Sequence, residues 1–123
     1  MIFKHTLHQV VGGGKTQTRR IIKPNERLDT VRNAVMVNNR ITYQVGKSYA
    51  VQPNRGKPAV ARIIITDIRC ESVDDITEQG AICEGFQSRD AFLITWRLIH
   101  GRDADMSRKV WVFEFRLEGE NEQ

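Results

Sequence analysis

The chain has few of the residues that would tie it to a specialised class of protein. Its 123 residues include only 2 cysteines and 3 prolines. Two cysteines give no disulfide framework, which agrees with a reducing compartment. No apolar run approaches the roughly 20 residues that span a bilayer, and the N-terminus lacks the basic and then apolar pattern of a signal peptide. We therefore expect a cytoplasmic protein without membrane association.

Acidic residues are missing from the first part of the chain. The first is Glu26, and five cations precede it, namely Lys4, Lys15, Arg19, Arg20 and Lys23. The formal net charge is only +4, because acids are concentrated elsewhere, including near the C-terminus at Glu118, Glu120 and Glu122. One basic face on a moderately charged protein predicts contact with a nucleotide or RNA rather than general coating of DNA.

Two common ligand motifs are also absent. The run Gly14-Lys15-Thr16 resembles the end of a P-loop, but the glycine required five positions before Gly14 is replaced by Gln9. Cys70 and Cys83 are too far apart for a zinc knuckle, and His5 with His8 form only a pair. The sequence thus predicts neither a nucleotide triphosphatase nor a metal site, and it indicates no cofactor and no obligate protein partner.

What the chain does contain fits one globular domain over residues 1–123. Hydrophobic residues make up 40% of the sequence and charged residues 28%, which is typical of a soluble protein. Helical spacing predicts a short helix over 4–11, and Thr77 and Ser88 are expected N-caps of helices over 78–84 and 89–100. Phe92, Leu93, Trp96 and Ile99 would form the buried face of the last helix.

Strands are predicted between these helices. Isoleucines on both faces place the segment 59–69 at the centre of a sheet, and alternation from Trp111 to Leu117 predicts a half-buried final strand. We interpret 24–39 as an excursion with a short strand near 34–37. The other expected strands cover 16–22, 40–45 and 48–52. The pattern indicates an α+β fold, a small and mostly antiparallel β-barrel with short flanking helices.

The stretch from Gly12 to Arg20 has the composition of a ligand-binding loop. Three glycines allow close backbone approach, and the next six residues carry three cations and two hydroxyls. The stretch taken alone is equally typical of a glycine turn that leads into a solvated basic strand. The loop 54–58, with Arg55 exposed, is a second candidate contact to a ligand.

Three segments together resemble the ASCH family of the PUA-like superfamily, and they span nearly the whole chain. They are Gly14 to Arg20, Tyr43 to Val51, and Ala81 to Phe86 followed by Trp96 and the final strand from Val110 to Phe115. The resemblance implies a PUA-like barrel. It also implies an activity like that of the bacterial N4-acetylcytidine amidohydrolase of this family, with Lys15, Thr18 and Glu84 as catalytic residues.

Elementary chemistry gives each of these residues a role. Thr18 can attack an acyl carbon or position a water, Lys15 can act as its base if its pKa is lowered, and Glu84 can carry a proton or orient Lys15. Arg19 and Arg20 can contact an oxyanion or a phosphate. A regular strand would send Lys15 and Thr18 to opposite faces, so Lys15 must lie in the glycine loop or at a bulge.

Other functions fit the same residues. The cations would suit an RNA-binding module without catalysis, or a ribonuclease that uses the same cleft. Structural roles are also open: Thr18 as an ordinary strand residue, Lys15 as a solvated cation, and Glu84 as a helix-end acid paired with Arg20. Phe86 and Trp96 are more typical of a core than of a base-stacking surface.

Overall fold

The computed structural model describes residues 1–119, which form three α-helices and seven β-strands. The helices are α1 (Leu7–Val11), α2 (Glu78–Cys83) and α3 (Arg89–His100). The strands are β1 (Gln17–Ile21), β2 (Glu26–Asp29), β3 (Ala34–Val37), β4 (Arg40–Gln44), β5 (Ser48–Val51), β6 (Ala61–Ser72) and β7 (Lys109–Leu117). A 3₁₀ turn, Val73–Asp75, connects β6 to α2.

The helix boundaries follow from their capping residues. The Thr77 hydroxyl accepts a hydrogen bond from the Gly80 amide at 2.9 Å, and the Ser88 hydroxyl accepts one from the Ala91 amide at 3.1 Å. Both caps satisfy an amide that has no partner within its helix, so the predicted helix starts are confirmed. In the described residues 1–119, no helix has both the length and the apolar character to cross a membrane.

The strands form two antiparallel sheets. The larger sheet has the order β1-β7-β6-β5, and the smaller has the order β2-β3-β4. β6 lies between β5 and β7, which confirms its predicted central position. Ile63, Ile65 and Ile68 are buried in the core, whereas Ile64, whose side chain points to the other face, is only half-buried.

The prediction of a barrel is wrong. Among the described residues, the four-stranded sheet ends at β1 and β5, and the three strands β2, β3 and β4 pair only with one another. Within the excursion predicted at 24–39, the short strand expected at 34–37 is confirmed as β3, and an unpredicted strand, β2, pairs with it in this second sheet. Periodicity predicted strands but contains no information about which strand edges pair, so closure could not follow from it.

Strand β7 is buried on both faces rather than on one. Val110 and Val112 are fully buried and pack with α2 and α3, whereas Trp111 and Phe113 pack with side chains of the smaller sheet. The half-buried strand predicted from its alternation is therefore incorrect for this part of β7. Both faces of this part of β7 carry apolar side chains, because one face packs against α2 and α3 and the other packs against the smaller sheet.

Ile99 departs from the face that the sequence assigned to it. Phe92, Leu93 and Trp96 are buried in the core, but Ile99 is 47% exposed. It lies in the last turn of α3, at the wall of a large cavity. Its apolar side chain therefore faces an opening rather than the core.

Candidate functional site

A cavity of about 700 Å³ opens between the N-terminal segment, β1, the end of α3 and the smaller sheet. Its wall includes Lys15, Thr18, Arg20, Arg55 and Glu84. The structure thus gathers all three predicted catalytic residues and two of the predicted substrate contacts around one space. Arg19 also borders it.

Lys15 reaches the cavity because it precedes β1. Its amide donates to the Gln9 carbonyl at 2.9 Å, and the next amide, of Thr16, donates to the Cys83 carbonyl at 2.7 Å. These bonds fasten the connection after α1 to both α1 and α2. Lys15 therefore lies outside the regular strand, and its side chain can line the same cavity as the side chain of Thr18.

Glu84 sits at the C-terminal end of α2, where it is only 3% exposed. Its Oε1 accepts a hydrogen bond from Lys15 Nζ at 2.9 Å, and its Oε2 accepts one from Arg19 Nη1 at 3.2 Å. The alternative in which Arg20 is its direct partner is not observed. Each carboxylate oxygen thus faces its own cation.

The residue after Glu84 must be small. Gly85 has a φ of +96°, and a Cβ there would lie 3.2 Å from the side chain of Gln9. Glycine alone adopts this backbone conformation without strain and leaves room for α1. The close approach brings the end of α2, and with it Glu84, against the loop that carries Lys15.

Burial controls the electrostatics of Lys15. The side chain is 5% exposed, and removal from water lowers the pKa of Lys15 because the charged form is disfavoured. Glu84 opposes this by attraction and hydrogen bonding, while Arg20 and Arg19 lower the pKa further by repulsion. The net direction is downward from 10.5, toward the neutral amine.

Thr18 and Arg20 share a strand face, two residues apart on β1. Arg20 Nε donates to Thr18 Oγ1 at 3.2 Å, and Arg20 Nη2 donates to the Ile2 carbonyl at 2.7 Å. The guanidinium also lies 5.0 Å from the ring centre of Phe3. Burial lowers the pKa of Arg20, but a guanidinium keeps its charge in proteins. A permanent positive charge therefore stands beside the threonine hydroxyl.

The other two arginines differ in what they can offer a ligand. Arg55 is exposed on its loop, so it can contact a molecule in the cavity. The side chain of Arg19 is 2% exposed and donates to Glu71, Gln17 and Glu84. Its hydrogen-bonding groups are directed at the protein.

Sequence reasoning missed two contributors to this region. The ring of Phe3 lies under both Lys15 and Arg20, at 5.6 Å from Lys15 Nζ. Glu71, on β6, binds Arg19 at 2.7 Å. No local pattern marked either residue, since both contacts join segments that are distant in sequence.

The aromatic residues near the site belong to its walls and to the core. Phe86 packs edge-on against Phe92, with ring centres 5.4 Å apart, and Trp96 is buried in the same cluster. Trp96 thus has the predicted core position, whereas Phe86 is half-buried at the edge of the cluster, and both side chains also line the cavity. Cys70 and Cys83 are free thiols, and residues 1–119 contain no group of three or more His, Cys, Asp or Glu side chains placed to hold a metal ion.

Comparison with known proteins identifies the fold. No family model and no curated protein matches the chain. Among solved structures, it is similar to an ASCH domain from Lactobacillus crispatus JV V101, with a TM-score of 0.64, 18% identity, and coverage of 90% of this chain and 69% of the other. It is also similar to protein EF3133 from Enterococcus faecalis V583, assigned to DUF984, with a TM-score of 0.64, 13% identity, and coverage of 94% and 71%.

These likenesses agree with the resemblance seen in the sequence motifs. They extend over nearly the whole chain, although few residues are identical. Fold and function are separate questions, because one fold can carry many sites. The protein has the fold of an ASCH domain.

Proposed function

We propose that this protein is an amidohydrolase that removes an acyl group from a pyrimidine nucleoside or a related modified nucleobase. The observation that carries the proposal is the buried Lys15–Glu84 pair, 2.9 Å between Nζ and Oε1, in the wall of the cavity that Thr18 also lines. Lys15 has a lowered pKa in this buried position, and a buried group with a perturbed pKa in a cleft is typical of a catalytic site. The cavity volume falls within the range of small-molecule sites.

The first step is attack on the acyl carbonyl carbon. The nucleophile is the Thr18 oxygen, or a water that Thr18 positions, and Lys15 in its neutral form takes the proton. The lowered pKa of Lys15 increases the neutral fraction at a given pH. Glu84 holds the Lys15 amine in place and stabilises the ammonium that forms.

The second step breaks the bond between the acyl carbon and the amine nitrogen. The Lys15 ammonium returns its proton to the leaving nitrogen and releases the free amine. When water is the nucleophile, the acyl group leaves in this step as a carboxylic acid. When Thr18 is the nucleophile, the acyl group remains as an ester on Thr18, and a water then hydrolyses it to the carboxylic acid and restores the hydroxyl. Both routes balance without a cofactor.

The developing negative charge needs positive partners. Arg20 is placed for this role because its Nε already lies 3.2 Å from Thr18 Oγ1. Donors that are fixed before the reaction stabilise the transition state more than mobile ones. The bonds of Arg20 to the Ile2 carbonyl and its packing on Phe3 provide this fixation.

Hydrolysis of N4-acetylcytidine by the purified protein tests the proposal. We expect cytidine release by the wild type and a loss of at least about 100-fold in kcat for Lys15→Ala and Glu84→Gln. Arg27→Ala is a matched control, because Arg27 lies on β2 and its side chain is 54% exposed. The proposal fails if the wild type shows no turnover of this or other acylated pyrimidine nucleosides, or if both variants match the wild type.

The cations of the cavity favour a second candidate, an RNA-binding module. Lys4, Lys23 and Arg55 all border the cavity, and none forms an ion pair with an acid in the described residues. Unpaired cations around one opening suit a phosphate backbone. Lys23→Ala with Arg55→Ala should weaken binding to a single-stranded RNA and reduce its salt dependence. Cleavage of that RNA by the wild type would instead indicate a ribonuclease.

A further inference from the structure

We propose that Arg19 is a positioning residue that holds the Glu84 carboxylate for Lys15, with Glu71 fixing Arg19 from behind. The inference rests on the proposed function for its catalytic consequence. Its geometric basis is independent of any substrate. It also assigns Arg19 a different role from that of its neighbour Arg20.

The hydrogen bonds of Arg19 define its orientation. Its Nε and Nη2 both donate to Glu71 Oε1, at 3.1 and 2.7 Å. Its Nη1 donates to Gln17 Oε1 at 3.0 Å and to Glu84 Oε2 at 3.2 Å. All three nitrogens are therefore engaged, and a planar guanidinium held at several points can move very little.

The surroundings of Arg19 reinforce this restraint. Gly80, in the first turn of α2, would place a Cβ 3.2 Å from Arg19 Nη2, so the guanidinium lies directly against the helix backbone. Glycine is unfavourable inside a helix, and its presence here leaves space for Arg19. Arg19 thus touches the start of α2 and binds Glu84 at its end.

The two carboxylate oxygens of Glu84 bind different cations. Arg19 engages Oε2, so that Oε1 remains directed at Lys15. The charged groups that act on the Lys15 amine are Glu84 from α2 and Arg19 and Arg20 from β1. Arg19 therefore affects Lys15 in two ways, by orienting its partner and by adding a neighbouring positive charge.

Titration of Lys15 by NMR tests the inference without any substrate. Arg19→Lys retains the cation but lacks the planar, multiply bonded guanidinium, so Glu84 should no longer be held against Lys15 and the Lys15 titration midpoint should fall. In Arg19→Gln the nearby cation is lost as well, which raises the midpoint, so the midpoint should lie above that of Arg19→Lys. A midpoint in folded Arg19→Lys that equals or exceeds the wild-type value would overturn the proposal.

Kinetics separate positioning from two simpler roles. With N4-acetylcytidine, Arg19→Gln should lower kcat about 100-fold while KM stays within about twofold, since a misplaced group costs rate rather than binding. A raised KM with unchanged kcat would identify Arg19 as a substrate contact. Lower stability with unchanged kcat would identify a purely structural residue. Either result overturns the proposal.

Two variants outside the catalytic trio refine the test. Glu71→Gln removes the negative charge that binds Nε and Nη2 of Arg19. It should lower kcat in the same way as Arg19→Gln, although Glu71 does not line the cavity. Glu118→Gln is its matched control, because Glu118 is a carboxylate that binds Ser48 and Arg62, neither of which contacts Arg19. Equal effects of the two would contradict the proposal. If the wild type does not hydrolyse the substrate, the proposed function fails while the Lys15 titration still decides the role of Arg19.

Discussion

Two ion pairs in this protein, one buried and one at the surface, each join a carboxylate to a basic side chain. Lys15 and Glu84 form a buried pair at 2.9 Å, with side chains 5% and 4% exposed. Asp29 and Arg32 form a surface pair on the hairpin between β2 and β3, at 2.7 Å, with Arg32 57% exposed. Distance alone would rank the surface pair as stronger.

Burial makes the Lys15–Glu84 pair more important to the protein than the Asp29–Arg32 pair. A surface pair gains little because water screens it and a long side chain must be ordered. A buried pair pays a large desolvation cost, and either partner alone would leave an uncompensated charge in the interior. The comparison teaches that the buried pair is the more sensitive to mutation and the more informative about function.

The largest effect should come from removing the buried carboxylate. Glu84→Gln leaves Lys15 without its anion and removes one acceptor of Arg19, so we expect a loss of about 3–5 kcal/mol in the free energy of unfolding, measured by chemical denaturation. Combining Lys15→Met with Glu84→Leu removes both charges and should cost less than Glu84→Gln. A double variant that is less stable than Glu84→Gln would contradict this account of the pair.

The pH dependence of stability should reveal the lowered pKa of Lys15. The pKa of Lys15 in the folded protein lies below the value of 10.5 expected for the unfolded chain. At a pH between the folded and the unfolded pKa, the unfolded chain therefore binds more protons than the folded protein. The wild type should therefore gain stability relative to Lys15→Met as the pH rises from the folded pKa toward 10.5. Denaturation curves of both proteins at several pH values measure this difference. Parallel pH profiles would show that the Lys15 pKa is the same in both states.

The smallest effect is expected at the surface pair. Hydrogen bonds from the Arg32 amide and then its side chain hold the pKa of Asp29 below 3.8. Asp29→Asn should reduce stability only slightly at neutral pH, and the difference should vanish as the pH falls through the folded pKa. Denaturation at neutral and acidic pH measures it. A loss of stability as large as that of Glu84→Gln would contradict the claim that the buried pair is the more sensitive to mutation.

Much of the local structure was predictable from short sequence patterns. Thr77 and Ser88 cap the helices as expected, because an N-cap hydroxyl acts on an amide only three residues away. The central position of β6 followed from its apolar run. Closure into a barrel and the half-buried character of β7 were wrong, since both depend on which layers meet.

The candidate site was predictable in part and for different reasons. The glycine loop and the two-residue spacing that puts Thr18 and Arg20 on one strand face are local features, and Lys15, Thr18 and Arg20 all line one cavity. Arg19 was predicted as a substrate contact from its charge alone, but its donors reach Glu71, Gln17 and Glu84. Charge reveals the type of partner a residue takes and not which partner lies within reach.

Short-range sequence patterns indicate that Lys15 precedes a strand, that Thr18 and Arg20 share one face of it, and that Glu84 ends a capped helix. These features depend on residues close together in the chain. Long-range packing brings Glu84, 69 residues from Lys15 in the chain, to 2.9 Å from the Lys15 amine, and it brings Glu71 to Arg19 across the sheet. Such contacts follow from the strand order β1-β7-β6 and from the docking of α2, which are set by packing of the whole chain rather than by any local period.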